Sequence, residues 1–106
     1  MSVKNHILLK EILESGILRL VLNNPESKNA LSKKMISALI DNISSASKDN
    51  SIKVIIIAAN GNIFGSGHDL KEITEARSNE DNGSSYFKEL FDSCSSLMQS
   101  IVNSPK

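Results

Sequence analysis

Residues 54–59 read VIIIAA, an unbroken apolar run whose first four members are β-branched. A strand with one face in water alternates polar and apolar side chains. An unbroken run instead suits a strand covered on both faces, as in a parallel sheet with helices packed over it. A strand-like segment and a helical stretch precede the run, and strand, helix, strand with parallel pairing forms a right-handed crossover unit. This one segment therefore predicts an α/β chain.

The flanking sequence supplies the other elements. Ile7–Leu13 and Ile17–Leu22 are separated by Glu14-Ser15-Gly16, and Gly16 can take the positive φ of a three-residue loop, so 7–22 is expected to be an antiparallel hairpin. In its second strand Leu18, Leu20 and Leu22 share one face, while Ile17, Arg19 and Val21 share the other. Pro25 lacks an amide hydrogen and biases Asn24 away from helix, which ends the strand pattern. A helix is predicted over 32–47, with Ser32 as its cap. Met35, Leu39, Ile43 and Ala46 form its apolar stripe, widened by Ile36 and Ile40. After the strand at 54–59, residues 60–75 form a Gly-rich loop and a short helix. Residues 76–85, ARSNEDNGSS, are polar and aperiodic and are expected to be a mobile loop. Residues 86–103 form a long amphipathic helix, with Phe87, Leu90, Phe91, Cys94, Leu97, Met98 and Ile101 at spacings of three and four. That stripe reads as core or helix-packing surface, and Cys94 as an apolar filler rather than a nucleophile.

Composition excludes several classes. With 106 residues the chain is about one small domain, and 12 basic against 12 acidic side chains give no field to attract nucleic acid or anionic lipid. Aromatics make up 4% of the chain, with no Trp, so stacking platforms for bases are missing. A single cysteine permits neither an internal disulfide nor a multi-Cys zinc site, which suits a reducing compartment, the cytoplasm by default. Lys10, Glu11, Glu14 and Arg19 interrupt the N-terminal apolar residues before a signal-peptide core forms. No stretch reaches the roughly 20 apolar residues of a membrane span, so the chain is expected to be neither exported nor embedded. The triplets Asn42-Ile43-Ser44 and Asn82-Gly83-Ser84 read as chance matches to a glycosylation site in a chain rich in Asn and Ser.

The chemistry concentrates at residues 64–72, FGSGHDLKE. A Gly-rich turn between a strand end and a helix start leaves backbone amides without partners, able to hold a phosphate or a carbonyl oxygen that becomes negative. A dinucleotide fingerprint from Gly65 would need glycine or alanine at Leu70, and a phosphate loop would need Lys-Ser or Lys-Thr where Gly67 is followed by His68-Asp69. Ser66 is no nucleophile elbow, because Phe64 and His68 stand where glycines are required. His68 and Asp69 lack a third metal ligand nearby. From the residues alone two readings stay open. One is an amide-based oxyanion site; the other is a plain turn at Gly65 and Gly67, with Asp69 capping the next helix.

A family resemblance bears on that choice. Lys28-Asn29-Ala30-Leu31-Ser32, Met35, Leu39, the Val54–Ala59 strand, then Gly61, Phe64, Gly67, Asp69, Leu70, Lys71 and Glu72 together resemble the N-terminal half of the enoyl-CoA hydratase/isomerase, or crotonase, superfamily. The likeness runs from about residue 7 to 106, and with His68 and the later C-x-x-L-M helix it looks most like the subgroup of enoyl-CoA hydratase domain-containing mitochondrial proteins. It implies an α/β chain forming the N-terminal portion of a crotonase-like (ClpP/crotonase) ββα spiral. It also implies an acyl-CoA thioester as substrate, no metal or redox cofactor, and homo-oligomers, trimers or pairs of trimers, for the full-length protein. A mitochondrial location is implied for a eukaryotic source, although no clear transit peptide is seen.

Carried over position by position, the resemblance makes the backbone amide of His68 one of two donors to the thioester oxygen. Ser66, Gly67, His68, Asp69, Leu70 and Lys71 line the coenzyme A path, with Lys28 and Ala30 on the opposite wall. Lys28 either approaches a phosphate or is an ordinary solvated lysine. Ser66 stands where family members usually carry a small residue such as alanine, and His68 is bulkier than the commoner alanine. The acid/base glutamates and the second oxyanion amide of the family would fall after Lys106, so the chain is expected to be a partial domain, inactive alone. Glu72, Glu75, Glu80 and Asp81 are not expected to replace those glutamates. The alternative expectation is a non-catalytic acyl-CoA- or protein-binding remnant that covers its apolar surfaces by self-association.

Overall fold

The computed structural model describes residues 6–106. The reading of the chain's start as free of an export signal concerns in part residues 1–5, outside the described residues.

Strands β1 (Leu8–Leu13) and β2 (Ile17–Leu22) form an antiparallel hairpin closed by a 3₁₀ turn at Glu14–Gly16. A second 3₁₀ turn at Pro25–Ser27 leads to helix α1 (Lys33–Ser47), which crosses over to strand β3 (Val54–Ala59). β3 pairs in parallel with β2, giving the sheet order β1-β2-β3. Two further helices follow, α2 (Leu70–Ala76) and α3 (Ser84–Asn103). α1 starts where it does because the Ser32 hydroxyl accepts the Met35 amide at 3.1 Å, satisfying one of the four free donors of a first helical turn.

The main core cluster lies on one side of the sheet, while Val21, 1% exposed, is buried on the other. Leu18, Leu20 and Leu22 meet Met35, Ile36, Leu39, Ile43 and Ala46 of α1 and Leu90 and Leu97 of α3, while Ile55 and Ile57 pack against the cluster. Burying a side chain of this size contributes about 1.5–3 kcal/mol, so these residues dominate the stability of so small a chain.

Both long helices sit on this same side, and here the structure departs from the expectation of two-sided cover for β3. Val54 and Ile56 remain 47% and 40% exposed. Their neighbours on that face include the cross-strand pair Arg19–Glu11, joined by a 2.7 Å ion pair. The all-apolar run marks a strand suited to contact on two faces, of which the helices fill one. The α3 stripe divides in the same way. Leu90 and Leu97 are buried and Cys94 packs partly against the core, whereas Phe91, Met98 and Ile101 are exposed, because α1 covers only one flank of α3.

The second departure is at 76–85. Ala76 ends α2 and Ser84 opens α3, and residues 77–83 between them form hydrogen-bonded turns, with Asn79 donating to Ala76 O and Asn82 to Asn79 O at 3.1 and 2.9 Å. Asp81 accepts the amides of Gly83 and Ser85, both at 3.0 Å, so α3 begins at Ser84. Gly83 must be glycine here: its φ is +89°, and a Cβ would lie 2.9 Å from the Phe87 ring and 3.1 Å from Ala76 O. Polar composition indicated a loop, but Asx-type bonding of this kind orders one locally.

Candidate functional site

Two loops form the walls of a groove beside the sheet. The first runs from Asn24 to Leu31. It holds two successive non-glycine residues in the left-handed region, Lys28 at φ 57° and Asn29 at φ 55°. Such residues are uncommon and persist where their surroundings fix them. Here Lys28 N donates to Pro25 O and Asn29 N to Asn24 O, each at 2.9 Å. The second wall runs from Asn60 through the glycines to Lys71.

The walls are stitched together. Leu31 N donates to Gly67 O at 2.7 Å in an isolated parallel bridge, and the Ser66 hydroxyl reaches Ser27 O at 3.5 Å. The side chain of Asn29 spans the gap, its Nδ2 donating to both Asn60 O and Ile63 O at 2.9 Å while its Oδ1 accepts Asn24 N at 2.7 Å.

The resulting groove, of about 410 Å³, is lined by Glu26, Ser27, Lys28, Ala30, Ser66, His68, Asp69, Leu70 and Lys71. The structure thus brings together Lys28, Ala30, Ser66, His68, Asp69, Leu70 and Lys71 from separate parts of the sequence. Gly67 acts through its conformation instead, with φ at +87° and nothing within 4 Å of a Cβ. That conformation turns the chain so that, among the described residues, the His68 amide donates to no acceptor. The His68 ring packs edge-on against Phe91, with centroids 6.3 Å apart, and its Nδ1 is buried without a partner among the described residues.

Asp69 is committed to capping, since its Oδ1 accepts the amides of Lys71 and Glu72 at 3.0 and 3.3 Å. The turn-and-cap reading therefore holds for Asp69, and it leaves the His68 amide free among the described residues. Glu72 lies outside the groove. Its Oε1 accepts Lys33 N at 3.1 Å and the Tyr86 hydroxyl at 2.7 Å. Burial and this carboxylate raise the Tyr86 phenol above its ordinary range. The Lys33 ammonium lies 3.2 Å from Glu89 and 5.7 Å from the Tyr86 ring centre. Lys28 and Lys71 are the cations of the groove, and Glu26 is its one carboxylate with no hydrogen bond among the described residues.

Sequence reasoning did not single out Asn29, Glu72 or Tyr86 as supports of this site. Asn29 carried the signal of a family-motif residue in the loop before Ala30, with no role of its own, and Tyr86 that of a helix start. Their partners lie 31 to 34 residues away for the Asn29 amide and 14 for the Tyr86 hydroxyl, beyond the reach of local pattern. No group of three His, Cys, Asp or Glu side chains able to hold a metal occurs among the described residues, and no helix there is long and apolar enough to cross a membrane.

Residues 13–104 match the family model for enoyl-CoA hydratase/isomerase. Among curated relatives, the human mitochondrial enoyl-CoA hydratase domain-containing protein 3 is 46% identical over 90 residues, 85% of this chain and 28% of that protein. The 2,3-dehydroadipyl-CoA hydratase of Escherichia coli is 37% identical over 62 residues, 58% of this chain and 24% of that protein. Among solved structures, enoyl-CoA hydratase from Mycobacterium smegmatis superposes with a TM-score of 0.84 at 35% identity, covering 94% of this chain and 37% of its own. The human domain-containing protein 3 superposes at 0.81 with 39% identity, covering 94% and 37%. The chain thus spans well under half the length of these relatives. Its α/β architecture is the N-terminal portion of the crotonase-like fold, and its likeness extends to the domain-containing subgroup. The chain belongs to the enoyl-CoA hydratase/isomerase family.

Proposed function

We propose that the groove binds an acyl-CoA thioester and that the His68 amide donates to the thioester oxygen. The observation that carries this is the free His68 amide, presented by Gly67 at a groove lined by Lys28 and Lys71. As such a thioester gains enolate character, negative charge grows on its oxygen. A donor already fixed in place stabilises that charge by about 3–4 kcal/mol more than mobile water can. Lys28 and Lys71 offer ammonium groups to the phosphates of the nucleotide portion. The reaction class is hydration or isomerisation of an unsaturated acyl group, which uses neither metal nor redox cofactor.

Such chemistry also needs a general acid and base. Among the described residues Asp69 and Glu72 are engaged by backbone amides, and Glu26 is a single carboxylate. This supports a 106-residue chain that binds the thioester but does not turn it over. Trimers or hexamers, and a mitochondrial location like that named for the vertebrate relatives, belong to the same proposal for the full-length protein, with the cytoplasm as the alternative location. Titration calorimetry with a short 2-enoyl-CoA tests it, alongside loss of the conjugated thioester absorbance. Saturable binding without turnover is expected. Turnover at a rate typical of hydratases contradicts the inactive reading, and absence of binding contradicts the ligand.

A second reading, a non-catalytic module that self-associates, is favoured by the exposed Val54, Ile56, Phe91, Met98, Ile101 and Val102.

A further inference from the structure

Asn29 is the sole buried polar residue among those described, at 0% exposure. Burying an amide is unfavourable unless its hydrogen-bonding groups are used. Here both Nδ2 hydrogens go to carbonyls, of Asn60 and Ile63, and Oδ1 takes the Asn24 amide. The orientation is fixed by chemistry, since a flipped amide would set oxygen against two carbonyls and nitrogen against an N–H. Asn29 N also donates to Asn24 O, which closes the 24–29 turn from both directions. The residue belongs to one wall of the groove by its backbone and grips the other wall by its side chain. It does not itself line the groove.

We infer that Asn29 is a positioning residue that sets the separation of the two walls, and through it the affinity for the thioester; this rests on the acyl-CoA reading above. An apolar residue of similar size would fill the space but leave three backbone groups of the two loops unpaired. It would also remove the side-chain half of the 24–29 turn, leaving Lys28 and Asn29 held at positive φ by the backbone bonds to Pro25 O and Asn24 O alone. The stitches that would remain are Leu31 N to Gly67 O, at 2.7 Å, and the long Ser66–Ser27 contact at 3.5 Å. Asn60 stays tied to Leu22 O at 2.9 Å and to Asn23 Oδ1 at 3.0 Å, so Ile63 is the carbonyl that loses its link to the first wall outright.

The test compares Asn29→Ala with Leu39→Ala, a core variant away from the groove that lowers stability without touching either wall. The first readout is amide hydrogen exchange at Leu31, which reports whether the walls remain joined. In Asn29→Ala, Leu31 is expected to exchange about tenfold faster relative to the β2 ladder amides, and affinity for a short 2-enoyl-CoA to fall about tenfold beyond that of Leu39→Ala. Equal acceleration of Leu31 and the ladder, or equal loss of affinity in the two variants, overturns the inference. If the wild type binds no thioester, the ligand reading fails while the Leu31 exchange still decides whether Asn29 joins the walls. Should Asn29→Ala not fold, the wild-type Asn29 side-chain amide protons decide: protection comparable to the ladder supports the inference, and exchange at the rate of a free amide overturns it.

Discussion

The Glu72 carboxylate accepts the Tyr86 hydroxyl at 2.7 Å and the Lys33 amide at 3.1 Å, so one side chain of α2 holds the first turns of both long helices. Tyr86→Phe removes a bond to a charged acceptor and is expected to lower stability by about 1–2 kcal/mol in urea unfolding. The alkaline limb carries a second signature. Burial and Glu72 raise the folded phenol above its ordinary 10.0, so the unfolded chain loses this proton first. The contribution is complete below that value and is lost as pH climbs toward the folded one. Tyr86→Phe should flatten this part of the stability profile.

Asp81 acts in the opposite pH range. Ser85, through its hydroxyl and amide, and the Gly83 amide hold the carboxyl below its ordinary 3.8. A depressed folded value contributes stability above 3.8 that disappears as pH falls from there through the folded value. Acid should therefore loosen the start of α3, and the Gly83 and Ser85 amide resonances should report it. Asp81→Asn should remove that acid response while weakening the cap at neutral pH.

Gly65 and Gly67 should respond differently to alanine. Gly67 sits at φ +87° with open space around a Cβ, so the penalty for alanine is conformational, about 1–2 kcal/mol. Gly65 has no positive φ, and a Cβ there would meet only Asn29 O at an ordinary 3.7 Å. Thermal unfolding should show Gly67→Ala clearly destabilised and Gly65→Ala close to wild type. Affinity for the thioester should fall in the first variant alone.

Exposed apolar side chains on α3 make association measurable. Phe91 and Val102 are 57% and 80% exposed; a charge at Val102 costs little in the monomer, whereas one at Phe91 also removes ring packing against His68 and Phe87. Light scattering across a concentration series should show the wild type growing in mass and Phe91→Asp or Val102→Asp growing less. Identical masses at every concentration would remove the self-association reading.

Local chemistry made much of this architecture legible. Gly16 marks the hairpin, Ser32 the start of α1, and the Met35, Leu39, Ile43 stripe the face that reaches the core. The groove emerged from a likeness of motif, since no periodicity relates Lys28 to Lys71. What stayed hidden depended on distant partners. VIIIAA states an apolar preference on two faces but not which neighbours arrive, and Val54 and Ile56 are left exposed. ARSNEDNGSS is the local exception: its polarity masks an Asx-type cap in which Asp81 accepts amides two and four residues on. Asn29 reads as a motif residue without a role until the carbonyls of Asn60 and Ile63 meet it.

The central claim is that the His68 amide faces the thioester oxygen. Nitrogen-proton correlation spectra of the labelled chain, titrated separately with a short 2-enoyl-CoA and with free coenzyme A, test it most directly. Both ligands should shift the amides of Asp69 to Lys71, whereas the thioester alone should move the His68 amide strongly. Spectra in which His68 stays still under the thioester, or moves equally with both ligands, would contradict the account.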